Sequence, residues 1–129
     1  MEIPKDIKLY YHPTTTFWFD KTGILYSVSL PAVRNLETMT DYVSFVKNIT
    51  NDKKVCILSD ISNASTMDKV ARDYMQTELK NLYKAMAVIA KTPLSKMIGN
   101  IYFKLNPRSF PSKIFSNEND AKEWLTEYI

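Results

Sequence analysis

The residues that could do chemistry are few and lie far apart along the chain. His12 is the only histidine and Cys56 is the only cysteine, and neither has an obvious catalytic partner close in sequence. An imidazole acts as a base only when it reaches a reacting group, and a structural metal site needs about four ligands. We therefore predict that His12 lies at the surface or at a strand end, that Cys56 is unreactive inside a strand, and that the chain holds no metal or cofactor.

Phosphate chemistry lacks the loop that would support it. With only Gly23 and Gly99 as glycines, the chain contains neither a Walker pattern nor G-x-G-x-x-G. The net charge of +3 is mild, and Lys/Arg residues are scattered apart from the pair at 53–54. A nucleic-acid-binding protein usually carries a denser basic stripe. The sequence thus predicts neither a nucleotide-driven enzyme nor a nucleic-acid binder.

The strongest candidate for a working surface is the stretch "CILSDISNASTMDKVARDY", residues 56–74. An apolar run ends in an aspartate, passes through a short polar loop and enters a capped helix. Open α/β sheets bind ligands at the carboxyl ends of their strands, and a helix N-terminus attracts anions. The candidate interaction surface comprises Asp60, Ser62, Asn63, Ser65, Thr66, Lys69 and Arg72.

The polar residues of this junction also have structural interpretations. Ser65 or Thr66 is expected to cap the helix, with Asp68 in the third place of a capping box. Asp60 is expected to accept hydrogen bonds from loop amides or to pair with a base such as Arg72. The alternatives are a ligand-binding Asp60 and phosphorylation of one of the two hydroxyls.

A second candidate surface lies on the helix predicted over 93–105 and on the segment after it. Aromatic and sulfur-containing side chains there are interleaved with Lys96, Lys104 and Arg108. Core packing is the simpler interpretation, but an amphipathic face flanked by bases also suits an apolar pocket, a membrane or a partner. The candidate residues of this apolar ligand or membrane face are Met97, Tyr102, Phe103 and Phe110.

The elements that position these residues follow from hydrophobic period and punctuation. Three leading strands are predicted, at 7–12, 15–20 and 24–30, with "DKTG" forming a hairpin turn. Four helices are then predicted, at 36–48, 66–82, 93–105 and 117–129, and they alternate with strands at 54–60, 85–90 and 112–116. This order predicts one α/β domain over 1–129, with a mostly parallel sheet and an antiparallel edge.

The strand at 85–90 is predicted against its composition, since alanine and methionine favour helix. No glycine or proline interrupts 66–92. One continuous helix there would be about 40 Å long, whereas a domain of this length has a radius of gyration of about 14 Å. We therefore end the helix before "AMAVIA" and predict a buried strand.

This order of elements resembles the STAS fold of bacterial anti-sigma-factor antagonists. Met67-Asp68 stands where those proteins carry Met-Asp-Ser-Ser-Gly, but Lys69 replaces the serine that they phosphorylate. The "A-R-x-Y" at 71–74 and the closing "F-S-(x)n-A-x-x-W-L" at 115–125 are similar to an uncharacterised bacterial branch of the fold. The resemblance implies the scaffold and an exposed interaction surface without the phosphoserine switch.

Two functions are compatible with these observations, and we favour the first. It is a non-enzymatic regulatory module that binds a protein, either another chain or a second copy of itself, through the junction at 60–72 and the leading strands. The second is binding of a small apolar ligand or lipid beside 93–105, with peripheral membrane contact as a variant. The missing catalytic constellation predicts no enzymatic activity. A single cysteine and the absence of an apolar leader predict a cytoplasmic protein.

Overall fold

The computed structural model describes residues 1–105 and 110–129, without the side chains of 101, 102, 104 and 105. Six strands form one sheet in these residues and lie side by side in chain order. The first three strands pair antiparallel, and the third to the sixth pair parallel, which confirms the predicted mixed sheet. The strands are β1 (Tyr10–His12), β2 (Thr15–Phe19), β3 (Leu25–Ser29), β4 (Val55–Asp60), β5 (Tyr83–Ile89) and β6 (Ser112–Phe115).

Four α-helices accompany the sheet in the described residues. They are α1 (Leu36–Ile49), α2 (Lys69–Leu82), α3 (Pro93–Leu105) and α4 (Glu118–Leu125), and a 3₁₀ turn over Thr126–Tyr128 follows. The first three connect neighbouring parallel strands, and right-handed crossovers in one direction place them on the same face of the sheet. None of the helices described is long and apolar enough to span a bilayer.

The core has two layers because successive strand residues point to opposite faces of the sheet. One layer lies between the sheet and α1–α3, and it is built on Phe17, Leu25, Ile57 and Met86. The other lies beneath α4, which closes it with Ala121 and Leu125 against Trp18, Tyr26, Leu58 and Ala87. Each strand residue therefore belongs to one layer or the other, according to the face of the sheet on which its side chain lies.

The predicted strand at 85–90 is confirmed as β5. Helix α2 ends at Leu82, and Tyr83 has an extended backbone at φ −126° and ψ 142°. Ala85 and Ala87 are fully buried on the α4 face. Small side chains there let a helix approach the sheet closely, which explains an alanine-rich sequence in a strand.

The predicted cap of α2 at Ser65 or Thr66 is wrong. Asp68 caps the helix instead, and its Oδ1 accepts a hydrogen bond from the Ala71 amide at 2.9 Å. The backbone stays extended up to Asp68 because Met67 forms a parallel β-bridge with Arg34. Ser65 Oγ accepts a hydrogen bond from a different segment, the amide of Ala32, at 3.2 Å.

The other predicted boundaries agree more closely with the structure. Asn35 caps α1 with Thr38 in a reciprocal capping box, and Asn117 caps α4. Gly23 takes the left-handed φ of 89° that the hairpin loop needs. The first strand is shorter than predicted, since β1 pairs only from Tyr10 to His12.

Asp68→Ala should lower the free energy of unfolding by about 1 kcal/mol, because an amide in the first turn of α2 loses its acceptor. Asp68→Asn keeps an acceptor at the cap and should lose much less. Thr66→Ala is the matched control, since Thr66 Oγ1 caps no amide in the described residues. Urea unfolding measures all three variants. Equal losses for Asp68→Ala and Thr66→Ala would contradict the assignment of the cap.

Candidate functional site

A row of hydroxyl groups crosses the face of the sheet that packs against α1–α3. The row lies towards the carboxyl ends of β3 and β4. Thr15 stands opposite Ser29 on the neighbouring strand, and Ser27 stands opposite Ser59. Ser27 Oγ donates a hydrogen bond to Ser59 Oγ at 2.8 Å. These short side chains occupy positions where large apolar residues would otherwise reach the helices, so space remains above the sheet.

A cavity of about 170 Å³ lies in that space, between the hydroxyl row and α1–α3. Most of its wall is apolar and includes Met39, Met75, Met86, Val88, Met97 and Phe103. Thr66 and Met97 line the cavity and are also exposed to solvent. The mouth of the cavity therefore lies between the junction loop and α3, at the carboxyl edge of the sheet.

Arg34 is the charged group buried in the wall of this cavity. The residue is only 7% exposed and lines the cavity. The guanidinium donates hydrogen bonds to two backbone carbonyls, that of Thr14 at 2.8 Å and that of Ala32 at 3.3 Å. No carboxylate of the described residues lies within ion-pair distance of it.

Tyr42 stands near Arg34 on the same wall. Its hydroxyl is 2.9 Å from the hydroxyl of Tyr83. Burial raises the pKa of Tyr42, against the opposing effects of the Tyr83 hydrogen bond and the Arg34 charge. Burial also disfavours the charged form of Arg34 and so lowers its pKa, and the electrostatic effect of Tyr42 opposes this shift. An arginine stays charged at neutral pH despite such a shift, so the cavity wall carries a buried positive charge.

The two surfaces predicted from the sequence meet at this cavity. From the junction, Ser65, Thr66 and Arg72 line it. From the helical segment, Met97 and Phe103 line it. Residues predicted separately, about 30 positions apart, thus share one site, because β4 and β5 are neighbours in the sheet and α2 and α3 begin at the same edge.

The remaining predicted residues lie elsewhere. Asn63 and Lys69 are exposed, and Lys69 Nζ pairs with Asp73 at 2.9 Å one turn further along α2. Phe110 packs against the core cluster beneath α1–α3. The side chain of Tyr102 lies outside the described residues.

Asp60 lies on the opposite face of the sheet from the cavity. Its Oδ1 accepts a hydrogen bond from the Ser62 amide at 2.9 Å, which confirms the predicted loop contact. Its Oδ2 accepts one from the Met1 amine at 2.8 Å, and the predicted pairing with Arg72 is therefore wrong. Burial raises the pKa of this carboxyl, but the hydrogen bonds from Met1 and Ser62 outweigh burial and lower it overall.

The lowered pKa predicts a pH-dependent contribution of Asp60 to stability. A carboxyl whose pKa falls on folding stabilises the protein fully above its ordinary value of 3.8. This contribution disappears as the pH drops below that value and passes the folded-state pKa. Asp60→Asn should therefore lose less stability than the wild type between pH 5 and pH 2, when chemical unfolding is followed at each pH. Parallel pH profiles for the two proteins would contradict this role.

His12 is buried, rather than lying at the surface, and it does have partners from distant segments. Its Nδ1 accepts a hydrogen bond from the Thr14 amide at 3.2 Å and lies 2.8 Å from Thr14 Oγ1. Its Nε2 lies 2.9 Å from Asp41 Oδ2. The order carboxylate–imidazole–hydroxyl is that of a hydrolase triad. In this arrangement the carboxylate of Asp41 is exposed to solvent. The hydroxyl belongs to Thr14, which is only 1% exposed and lines the cavity.

The other chemistry-bearing groups are separate from the cavity. Cys56 lies on the α4 face of β4, and burial raises the pKa of its thiol against the weaker effect of Lys84. Such a thiol is mostly protonated and unreactive at neutral pH. In the described residues, no three His, Cys, Asp or Glu side chains come close enough to hold a metal ion.

Sequence reasoning missed the hydroxyl row and Arg34. The row had a signal, because serine alternates with Tyr26 and Val28 in "YSVSL" and so falls on one face of β3. Ser59 gave the same signal inside an otherwise apolar strand. Arg34 had none, since a base just before a helix cap is usually exposed.

The described architecture is a SpoIIAA-like, STAS-like α/β fold, as predicted. The chain is similar to an uncharacterised protein of the DUF3478 family from Shewanella loihica PV-4, whose crystal structure has a SpoIIAA-like fold. The two share 17% identity and a TM-score of 0.55 over 97% of this chain and 98% of the other, and this likeness shows the fold alone. Residues 17–129 match a domain of unknown function, DUF7793, and the chain belongs to that family. No curated protein matches it.

Proposed function

We propose that the chain is a non-enzymatic binding module for a small, largely apolar molecule, which it holds between the sheet and α1–α3. The cavity of about 170 Å³ is the observation that carries this proposal. An apolar cavity of about 150 Å³ takes up benzene, so the ligand has about six to ten non-hydrogen atoms.

The composition of the wall supports a binding site rather than a packing defect. Protein interiors contain few voids larger than a water molecule. Methionines from all three helices and from β5 surround this one, and their flexible thioether chains adapt to the shape of a bound molecule. The hydroxyls opposite them give the ligand a polar side. A site of this kind, mostly apolar with a few convergent polar groups, is typical of small-molecule pockets.

Val88→Phe tests the cavity directly, because the larger ring occupies it. The variant should stop binding small probes such as 1-hexanol. Its free energy of unfolding should change by less than the 1–3 kcal/mol that is roughly the penalty for overpacking a filled core. Saturation-transfer NMR measures binding, and urea unfolding measures stability.

Val55→Phe is the matched control for this experiment. Val55 is half-buried at the opposite end of β4 and does not line the cavity. This variant should keep the affinity of the wild type. If Val88→Phe still binds the probes as the wild type does, the cavity is not the binding site.

The proposal is for binding without turnover. Thr14 is the hydroxyl that a hydrolase mechanism would use, and it is β-branched and almost completely buried. The ring of His12 also contacts Tyr42 and Phe45, with centroids 5.8 and 5.3 Å apart, so it joins β1 to α1. Packing and hydrogen bonding thus give His12 and its partners a structural role.

Hydrolysis of 4-nitrophenyl butyrate distinguishes this role from catalysis. The wild type should release 4-nitrophenol no faster than His12→Gln at the same concentration, with the fold of both checked by circular dichroism. A rate that depends on His12 and saturates with substrate would replace the binding function by an esterase activity.

Binding of a protein partner is the second candidate, and a specific observation favours it. Large apolar side chains are exposed on the segments around the mouth of the cavity: Val33, Leu36, Val70, Leu94 and Met97. The exposed bases Lys91 and Lys96 flank those of α3. This surface suits a protein that presents an apolar patch bordered by acidic residues.

Native mass spectrometry of gently purified protein separates the two candidates. A co-purified small molecule that is absent from Val88→Phe supports the ligand-binding function. A complex that survives in Val88→Phe and is lost in Val70→Lys supports the partner-binding function.

A further inference from the structure

We infer that the ligand is a small carboxylate whose headgroup is bound by Arg34 and whose apolar body fills the cavity. This inference rests on the proposed binding function and specifies the class of molecule bound. The first argument for it is charge. Arg34 lines the cavity at 7% exposure, and no carboxylate of the described residues pairs with it.

An unpaired buried cation is unfavourable, because its lost hydration is repaid only by a counter-charge and by further hydrogen bonds. The carbonyls of Thr14 and Ala32 provide part of that compensation. They use one N–H of each terminal nitrogen, and the guanidinium retains further donors with no acceptor in the described part of the chain. A ligand that brings an acceptor with a negative charge supplies what is missing.

The surroundings of Arg34 fit a carboxylate in both charge and size. A planar guanidinium forms paired hydrogen bonds with the two oxygens of a carboxylate. The buried hydroxyls of Thr15 and Ser29 line the same cavity and offer further donors. A single buried cation balances a single negative charge, and a compact headgroup leaves most of the cavity for apolar atoms. A phosphate would bring more charge and more volume.

Hexanoate and hexanamide are the probes that test this inference, because they have the same number of non-hydrogen atoms and differ in charge. Calorimetric titration of the wild type at neutral pH should give an affinity for hexanoate about tenfold or more above that for hexanamide, as expected for a hydrogen bond to a charged group. Arg34→Met should lose this preference while it still binds hexanamide, and Arg34→Lys should keep part of it.

Lys47→Met is the matched control. Lys47 is exposed in the last turn of α1 and does not line the cavity, so this variant removes one positive charge and leaves the cavity wall unchanged. It should keep the preference for hexanoate. Loss of the preference in Lys47→Met and not in Arg34→Met would overturn the assignment to Arg34, and tighter binding of hexyl phosphate than of hexanoate would overturn the carboxylate class.

The outcomes separate this inference from the function on which it rests. If the wild type binds hexanamide and 1-hexanol as tightly as hexanoate, the carboxylate inference fails and the apolar binding function stands. If it binds none of these probes, the binding function itself fails. The comparison of probes on the wild type still decides the matter if Arg34→Met does not fold by circular dichroism.

Discussion

The segment 30–34 is the constraint on which the carboxyl edge of this sheet depends. One of its amides and the Arg34 guanidinium both donate to the carbonyl of Thr14, at 2.9 and 2.8 Å. Another amide donates to Ser65 Oγ, and the Arg34 carbonyl accepts from the Asp68 amide at 3.2 Å. The start of β2, the end of β3 and the junction before α2 are therefore held by one short stretch. The same stretch brings a cation into the cavity wall.

Building the cavity and its charge weakens the core on one side of the sheet. Apolar side chains in place of the hydroxyls would bury more surface and leave less empty space, so this design sacrifices stability locally. The other face is covered by α4 and includes the stack of Trp18 on Tyr26, with ring centroids 5.5 Å apart. Local departures from good core design in natural proteins are expected at functional sites. The distribution of defects thus agrees with the proposed site.

Much of the fold was predictable from sequence because its signals were strong and local. Asn35 and Asn117 indicated the starts of two helices, and the apolar run of β4 indicated a central strand. The strand β5 required a global argument, since only the size of the domain excluded a longer helix. The start of α2 was missed because the bridge between Arg34 and Met67 is a tertiary contact, and no local pattern records it.

The site was less predictable than the fold for a related reason. Residue type alone makes Thr66 and Met97 candidates, but their meeting at one cavity depends on the order of the strands. Ser27 and Ser59 form a pair only when β3 and β4 are neighbours in the observed register. The environment of Arg34 depends on carbonyls from Ala32 and from the preceding hairpin. A single sequence gives the residue types, whereas the burial and pairing of those residues depend on the assembled sheet.

The sequential order of the strands has a consequence for how the chain folds. Each strand pairs with the one synthesised just before it, so no pairing waits for a distant segment. Sequential pairing keeps contact order low for a sheet protein, and low contact order favours rapid folding. The growing sheet can add β4 and then β5 as each leaves the ribosome. Helix α4 is the exception, because it returns to cover strands already in place. Until α4 is synthesised, the apolar face that includes Trp18 and Leu58 is uncovered, so the nascent domain can aggregate through this face before the helix packs on it.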